Sequence, residues 1–486
     1  MFSTFGSLHT ALSTLHSMQK SIQTSSHNVA NASTPGFSRQ KTVLVTGSPY
    51  AVPSNNRYSN YGQVGTGVTV DKIQRFRSDF LDSQIRNETL QQKGWEVRRD
   101  SLQQMEAIFN EPSDTGINSR LSSFWTAWQN LATTPDSAAT RGNVAEAAAD
   151  LTAALRDTYR QLDEFQTELN NRVAIQVDQV NDLASRIADL NATIRDVQGV
   201  GQQPNDLRDQ RDRLITELSE LVNINAYEGE GGSVTIGLGG KLLVMDHEAT
   251  PLAVEQDPAN GMLNRIVWQD TGAVAEAAGI PLEGGLSALA AERLGGELGG
   301  SLITRDLLLP EKMSQLDDMA NALMTAVNNL HQANFGLDGS TGFNFFEGTG
   351  ARNIDVSADI KANSNRIAAS ATAAGVPGDG SVALAISRLA NAKLLNGGTT
   401  TVTDFYRASV TQLGQESQQA TIMAENQELL VKSLETEQEQ IAGVSMDEET
   451  VNLLQYQRNY QAAARVMTTL DEMLDKVING MGLVGR

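Results

Sequence analysis

The sequence predicts a mainly α fold with an inserted β-rich domain. Its N- and C-terminal helices pair as a coiled coil, followed by a long-helix-bundle domain and an outer β domain. Three observations predict this. Apolar residues recur at alternating steps of three and four at both ends of the chain and through the proline-free residues 141–198. Residues 224–294 change texture to short aliphatic and β-branched runs bounded by glycines. The length of 486 residues exceeds what one ordinary core accommodates.

Composition narrows the function classes. A formal net charge of −21 argues against nucleic acid, whose phosphates are held by clustered Lys and Arg. The chain has no cysteine, which removes disulfides, thiolate chemistry and Cys-based metal sites. No apolar run is long enough to span a bilayer, so no membrane insertion is expected. Lys20 is the first charge, so no cleavable signal peptide is expected either. The first 70 residues contain no Asp or Glu, while Lys20, Arg39, Lys41 and Arg57 are basic, a bias that suits an export signal kept extended.

The first helix is expected over residues 3–32. Its seam is Phe5, Leu8, Leu12, Leu15, Ile22 and Val29, interrupted by polar Gln19 and Ser26. Thr34-Pro35-Gly36 ends it, because the residue before proline avoids the α region and proline lacks the next donor. Residues 38–45 read as extended, 46–67 as a loop or short strands, and 65–70 as a strand leading to a helix from about Ser78. The helix over 141–198 would be roughly 85–90 Å long, a length suited to a rod lying along an assembly axis. It breaks at 199–204 and restarts at Pro204-Asn205-Asp206.

In the restarted helix Asp206, Asp209 and Asp212 alternate with Arg208, Arg211 and Arg213. Neighbouring guanidiniums would compete with a cation, so a charge-laced helix face is the better reading than a metal site. The glycines of 224–294 bound hairpin strands and lack the phosphate-loop pattern. Residues 295–337 return to helix, and 338–400 read as a small ancillary lobe. Asp338-Gly339-Ser340-Thr341-Gly342 is a surface turn rather than a calcium loop, since the required glycine and glutamate positions are not filled.

A helix over 404–442 ends at Gly443, and Ser445 with Glu448 forms a capping box for the last helix. Leu453, Tyr456, Tyr460, Ala463, Met467, Leu470, Leu474, Val477 and Met481 make its seam. Leu454, Val466, Met473 and Ile478 lie off it. A helix with a second apolar stripe calls for a second partner, and copies of the same chain are the expected one.

No catalytic constellation is found. His9, His16, His27, His247 and His331 lack the neighbours a metal or a triad needs, and no cofactor fingerprint is present. The expectation is a non-enzyme with no cofactor and no metal.

HNVANASTPGFSRQ at residues 27–40 and GQVGTGVTVDKIQRFRSDFLDSQIR at 62–86 resemble the flagellar axial proteins: rod, hook and hook-associated subunits. The motif positions are Asn31, Thr34, Pro35, Gly36 and Phe37, then Ser38, Arg39 and Gln40. This Ser-Arg-Gln is similar to the hook-associated, hook–filament junction branch. So is VSMDEETVNLLQYQRNYQAAARVMTTLDEML at 444–474, whose Asp447-Glu448-Glu449 stands where rod and hook proteins usually carry Asn-Val-Asp-Leu. NDLRDQRDRLITELSELVNI at 205–224 and the stretch from Gly295 fit the same branch.

The resemblance implies a structural adaptor exported unfolded through the flagellar type III channel and assembled as a ring at the distal end of the hook. Implied partners are further copies, the hook protein, a second junction protein on the filament side, and a cytoplasmic export chaperone on the C-terminal helix. The near alternative is a hook or distal rod subunit, and the distant one an exported peptidoglycan hydrolase with axial-type termini. The expected domains are 1–40 with 444–486 (terminal coiled coil), 41–223 with 295–337 and 401–443 (long helices), 224–294 (β-rich) and 338–400 (lobe).

Overall fold

The structure, a computed structural model, describes residues 4–48, 65–229, 231–275 and 293–480. The side chain of Phe5, all of Met481, residues 49–64 of the predicted loop and 276–292 of the predicted β-rich insert lie outside the described residues.

Helix α1 (Thr4–Asn31) leads into an antiparallel hairpin, β1 (Gln40–Thr46) and β2 (Val68–Arg75), whose register shifts between Val43 and Leu44. The hairpin packs on α1 through polar contacts. Ser13 and Ser17 donate to the Val68 carbonyl at 2.5 and 3.0 Å, and Thr42 meets Thr24 at 3.2 Å. Helix α2 (Asp79–Phe109) starts at Ser78, whose hydroxyl accepts from the Leu81 amide. Next come α3 (Ile117–Thr133) and α4 (Ala138–Gly199), 62 residues without a break.

Helix α4 runs through two cores. Its first half, from Val144 to Leu169, packs with α3, with α7 (Leu309–Gln332) and with α10 (Val402–Ala442) around the fully buried Phe124 and Trp128. Helix α10 also lies antiparallel along α2, with Gln438 bonded to Asp82, Gln427 to Glu88 and Ser417 to Glu106. The second half of α4, from Val173 to Ala188, packs with α5 (Asn205–Leu221), α6 (Gly296–Ile303) and the sheets. Those sheets are a four-stranded antiparallel one, β3 (Ile224–Glu228) to β6 (Glu248–Ala249) in sequential order, and the pair β7 (Leu252–Asp257) and β8 (Leu263–Trp268).

The β strands thus share a core with the long helix. Asn191 of α4 accepts from the Val234 amide and donates to the Val234 and Asp246 carbonyls, and the buried Arg211 of α5 reaches Asn191 at 3.2 Å. A close crossing of α2, α5 and α6 explains the Gly295-Gly296 and Gly299-Gly300 pairs. A Cβ on Gly296, which has φ of +58°, would lie 2.5 Å from the Glu220 carbonyl, and one on Gly300 would lie 2.9 Å from the Gly94 carbonyl.

Residues 338–400, which carry the short helices α8 (Ala358–Ala362) and α9 (Ser381–Ser387), do not stand apart as a small lobe. Phe345, Phe346, Ile354, Ile367 and Ile386 belong to the same core as α3 and α4. Phe345 lies 5.2 Å from Trp128 and Phe346 lies 5.6 Å from Phe124, ring centre to ring centre. The buried Arg141 guanidinium bridges the Pro135 and Ile367 carbonyls. Aromatic burial, not periodicity, decides where this segment goes.

Candidate assembly interface

The last helix, α11 (Met446–Gly480), packs along α1. Burial along α1 identifies its seam as Leu8, Ala11, Leu15, Met18, Ile22, Ser25 and Val29, with steps of three and four. The expected seam takes steps of four and three from Leu8, and the structure corrects it. Leu12 is 44% exposed, and Gln19 and Ser26 are also exposed, while Ala11, Met18 and Ser25 are buried. The physical reason is the hairpin: Ser17, Ser21, Thr24 and Asn28 are buried as well, so α1 carries two adjacent buried faces and the outward side falls on Leu12. The supposed polar interruptions therefore lie outside the contact.

On α11, Leu453, Tyr456, Met467, Leu470 and Leu474 are half-buried and Ala463 is buried, while Tyr460 and Val477 are more exposed. Leu454 is 52% exposed and Ile478 is 70% exposed, with Val466 and Met473 between them. Exposed apolar side chains therefore lie on both flanks of the α11 seam, with nothing over them among the described residues.

The motif residues form the root of this pair. Asn31 closes α1, Thr34 donates its amide to the Asn31 carbonyl, and Phe37 sits edge-on to His27 at 5.4 Å. Gly36 has φ of +77°, which only glycine adopts without strain, while Thr34 and Pro35 are exposed. Each of the next three residues ties the chain to other elements. The Ser38 amide donates to Asp209 of α5 at 2.9 Å. The Arg39 amide donates to the Ala442 carbonyl at the end of α10, and its guanidinium pairs with Glu448 and Glu449 of α11, both at 2.8 Å. Gln40 exchanges two backbone–amide bonds with Asn28 of α1, donates to Asp206 at 2.7 Å and accepts from Asn205.

The acidic face of α5 is part of the same root. Arg75 pairs with Asp209 at 2.7 Å and Asp212 at 2.9 Å; Arg77 pairs with Asp82 and lies 3.4 Å from Asp212. Thus Asp206, Asp209 and Asp212 face β1, β2 and the first helix, and within their own helix only Arg211 comes near one of them, 3.9 Å from Asp212. Arg208 and Arg211 instead turn to Glu228, and Arg213 to Glu217.

Burial opposes charge throughout this cluster, yet Asp212 and Asp209 hold Arg75 above the ordinary guanidinium value, and Asp212 and Asp82 do the same for Arg77. Burial pushes the Asp209 carboxyl up, against the Ser38 amide and Arg75. These directions pull opposite ways on the Asp209–Arg75 pair. The guanidinium governs, because arginine keeps its proton in proteins, and the pair is ionic.

Among the described residues no three His, Cys, Asp or Glu side chains gather as a metal site. His331 is a packed core residue: it donates from Nδ1 to the Phe343 carbonyl at 2.8 Å and accepts the Ala368 amide at Nε2. No described helix is long and apolar enough to cross a membrane.

Comparison with known proteins agrees along the whole chain. The family described as "Flagellar hook-associated protein FlgK helical domain" matches residues 102–346, and "Flagellar basal body rod FlgEFG protein C-terminal" matches residues 440–480. The flagellar hook-associated protein 1 of Bacillus subtilis is 34% identical over 518 residues, covering 100% of both chains. That of Salmonella typhimurium is 25% identical, covering 96% of this chain and 98% of its own. The flagellar hook junction protein FlgK from Burkholderia pseudomallei superposes with a TM-score of 0.64 at 18% identity, over 74% of this chain and 100% of that one, a likeness of fold.

Proposed function

The chain belongs to the flagellar hook-associated protein 1 family and is a structural component of the bacterial flagellum; within that role we propose that it is the hook–filament junction adaptor. Copies assemble as a ring at the distal end of the hook, meeting the hook protein on one side and a second junction protein on the other. The observation that carries this reading is the set of exposed apolar side chains on α11, Leu454, Val466, Met473 and Ile478, which flank the seam already used by α1. Apolar side chains exposed on both sides of a used seam are surface that a neighbouring helix can cover.

The division of labour follows the chain. Residues 1–40 with 444–486 are the assembly unit, and α5 joins it to the β-rich insert, with Asp206 and Asp209 bonded to the first and Arg208 and Arg211 paired with Glu228 of the second. No reaction is assigned: the family is a structural one, and the buried charges described above are all engaged in holding elements together. Before assembly the C-terminal segment, about residues 451–481, is what an export chaperone would shield in the cytoplasm.

Deleting the gene and viewing the cells by electron microscopy tests the reading. Hooks without filaments, with flagellin shed into the medium, are expected. Filaments of normal length and number would contradict it.

A further inference from the structure

We propose that the outward face of the β1–β2 hairpin of one copy docks on the outward face of α10 of a neighbouring copy. The proposal rests on the reading that copies of this chain assemble together. In its second half α10 buries Ala424, Val431 and Leu434 along α2, where Leu434 packs with Leu81 and Ile85. Ile422 and Leu429 each precede a buried position by two residues, about 200° of helix, so they point away from α2. They are 48% and 67% exposed, and Met423 and Leu430 beside them are exposed as well. Large apolar side chains on the water side of a helix pair make a surface to be covered.

Charge selects what covers it. Residues 422–441 carry five glutamates against one lysine, and Glu425, Glu428 and Glu435 are exposed with no ion pair among the described residues. The hairpin offers the complement. Gln40 and Thr42 face α1, so by strand alternation Lys41 and Val43, with Gln74 and Lys72 across the ladder, face away. Lys41 and Lys72 are exposed without ion pairs among the described residues, and Val45 is exposed beyond them. Asp71, at the irregularity in the ladder, is the only carboxylate of the two strands. The chain's own hairpin does not reach this face. The Arg39 amide is bonded to the Ala442 carbonyl at 2.8 Å, which fixes the start of the hairpin at the end of α10. From there the strands follow α1, held by Ser13 and Ser17 at Val68. Ile422 and Leu429 lie roughly 20–30 Å back along α10 from Ala442, within reach of a neighbour offset along that helix. Opposite charges around an apolar centre then give the contact its specificity.

Carbodiimide coupling in the full chain reads the contact directly. It joins a lysine amine to a touching carboxylate as an amide, the carbodiimide taking up the water as its urea. Isotopically light and heavy chains are mixed, assembled on isolated hooks, sedimented, coupled and digested for mass spectrometry. Amides from Lys41 or Lys72 to Glu425, Glu428 or Glu435 are expected in mixed light–heavy pairs, and not in the free chain. Lys41→Glu with Lys72→Glu should lower sedimentation with hooks several-fold at unchanged helix content, and adding Glu425→Lys with Glu428→Lys should restore it. The inference is overturned if coupling stays within one isotope, or if these glutamates join another lysine of the chain or the hook protein. Sedimented chains without any such amide overturn it too, as does sedimentation indifferent to Lys41→Glu with Lys72→Glu. Unaltered chains that fail to sediment with hooks overturn the assembly reading, and this inference with it.

Discussion

Helices α4 and α11 are written in the same alternation of three and four, yet they end in opposite environments. Along α4, Val144, Ala148, Leu151, Leu155, Leu162, Val173, Val180, Ile187 and Ile194 are completely buried. Along α11 only Glu449 and Ala463 are buried. The difference lies in what surrounds each helix. Sheets and helices enclose α4 on successive faces along its length, whereas α11 has α1 alone, and α1 turns its other buried face to the hairpin. The same heptad pattern therefore marks a finished core in one place and half of a contact in the other.

The contrast can be broken first from the core side. Trp128→Ala removes a fully buried indole packed on Phe124 and Phe345, and should lower unfolding free energy by about 3–5 kcal/mol. Thermal melts should show that loss, with little change in the helicity of α1 and α11.

The root between the two regions comes next. Asp209→Ala leaves Arg75 short of a buried partner and the Ser38 amide without an acceptor, at a cost of about 3 kcal/mol in denaturant unfolding. If the root couples the regions as described, exchange of amides in α1 and the hairpin should rise more than in α4.

Acid probes the core alone. Burial, reinforced by Arg141, pushes His331 down to about 4 from an ordinary value of 6.5, so below 6.5 the unfolded chain takes up a proton that the folded one refuses. The stability His331 contributes is present above pH 6.5 and is lost as pH falls towards 4, a total of about 3 kcal/mol. Replacing it with Gln should flatten that part of the stability–pH curve.

The smallest effect on stability is predicted where the effect on assembly is largest. Leu454→Asp and Ile478→Asp are at exposed positions of α11 and should change monomer unfolding by no more than about 0.5 kcal/mol. Export should be spared, and incorporation at the hook tip, counted by electron microscopy, should fall.

Much of this contrast is legible in the sequence. The long helix, the β-rich insert and the Ser445 cap all follow from periodicity and turn chemistry. The register of α1 does not, because choosing Leu12 over Ala11 follows hydrophobicity, whereas the hairpin decides which side faces out. Nor does the partnership of Asp209 and Asp212 with Arg75 and Arg77, which lie more than a hundred residues away. Phe345 and Phe346 sit in a glycine-rich stretch with no period, so their place in the central core is invisible until Trp128 is beside them. Arg39 and the acidic start of α11 each stand out by resemblance, but nothing local shows that they touch.

Hydrogen exchange of the full chain, free and assembled on isolated hooks, tests the central claim that α11 is an unfinished interface. Peptides covering Asp447 to Asn479 should gain strong protection on assembly, while those covering Leu151 to Val180 of α4 should be protected equally in both states. Unchanged exchange across α11 would contradict the account.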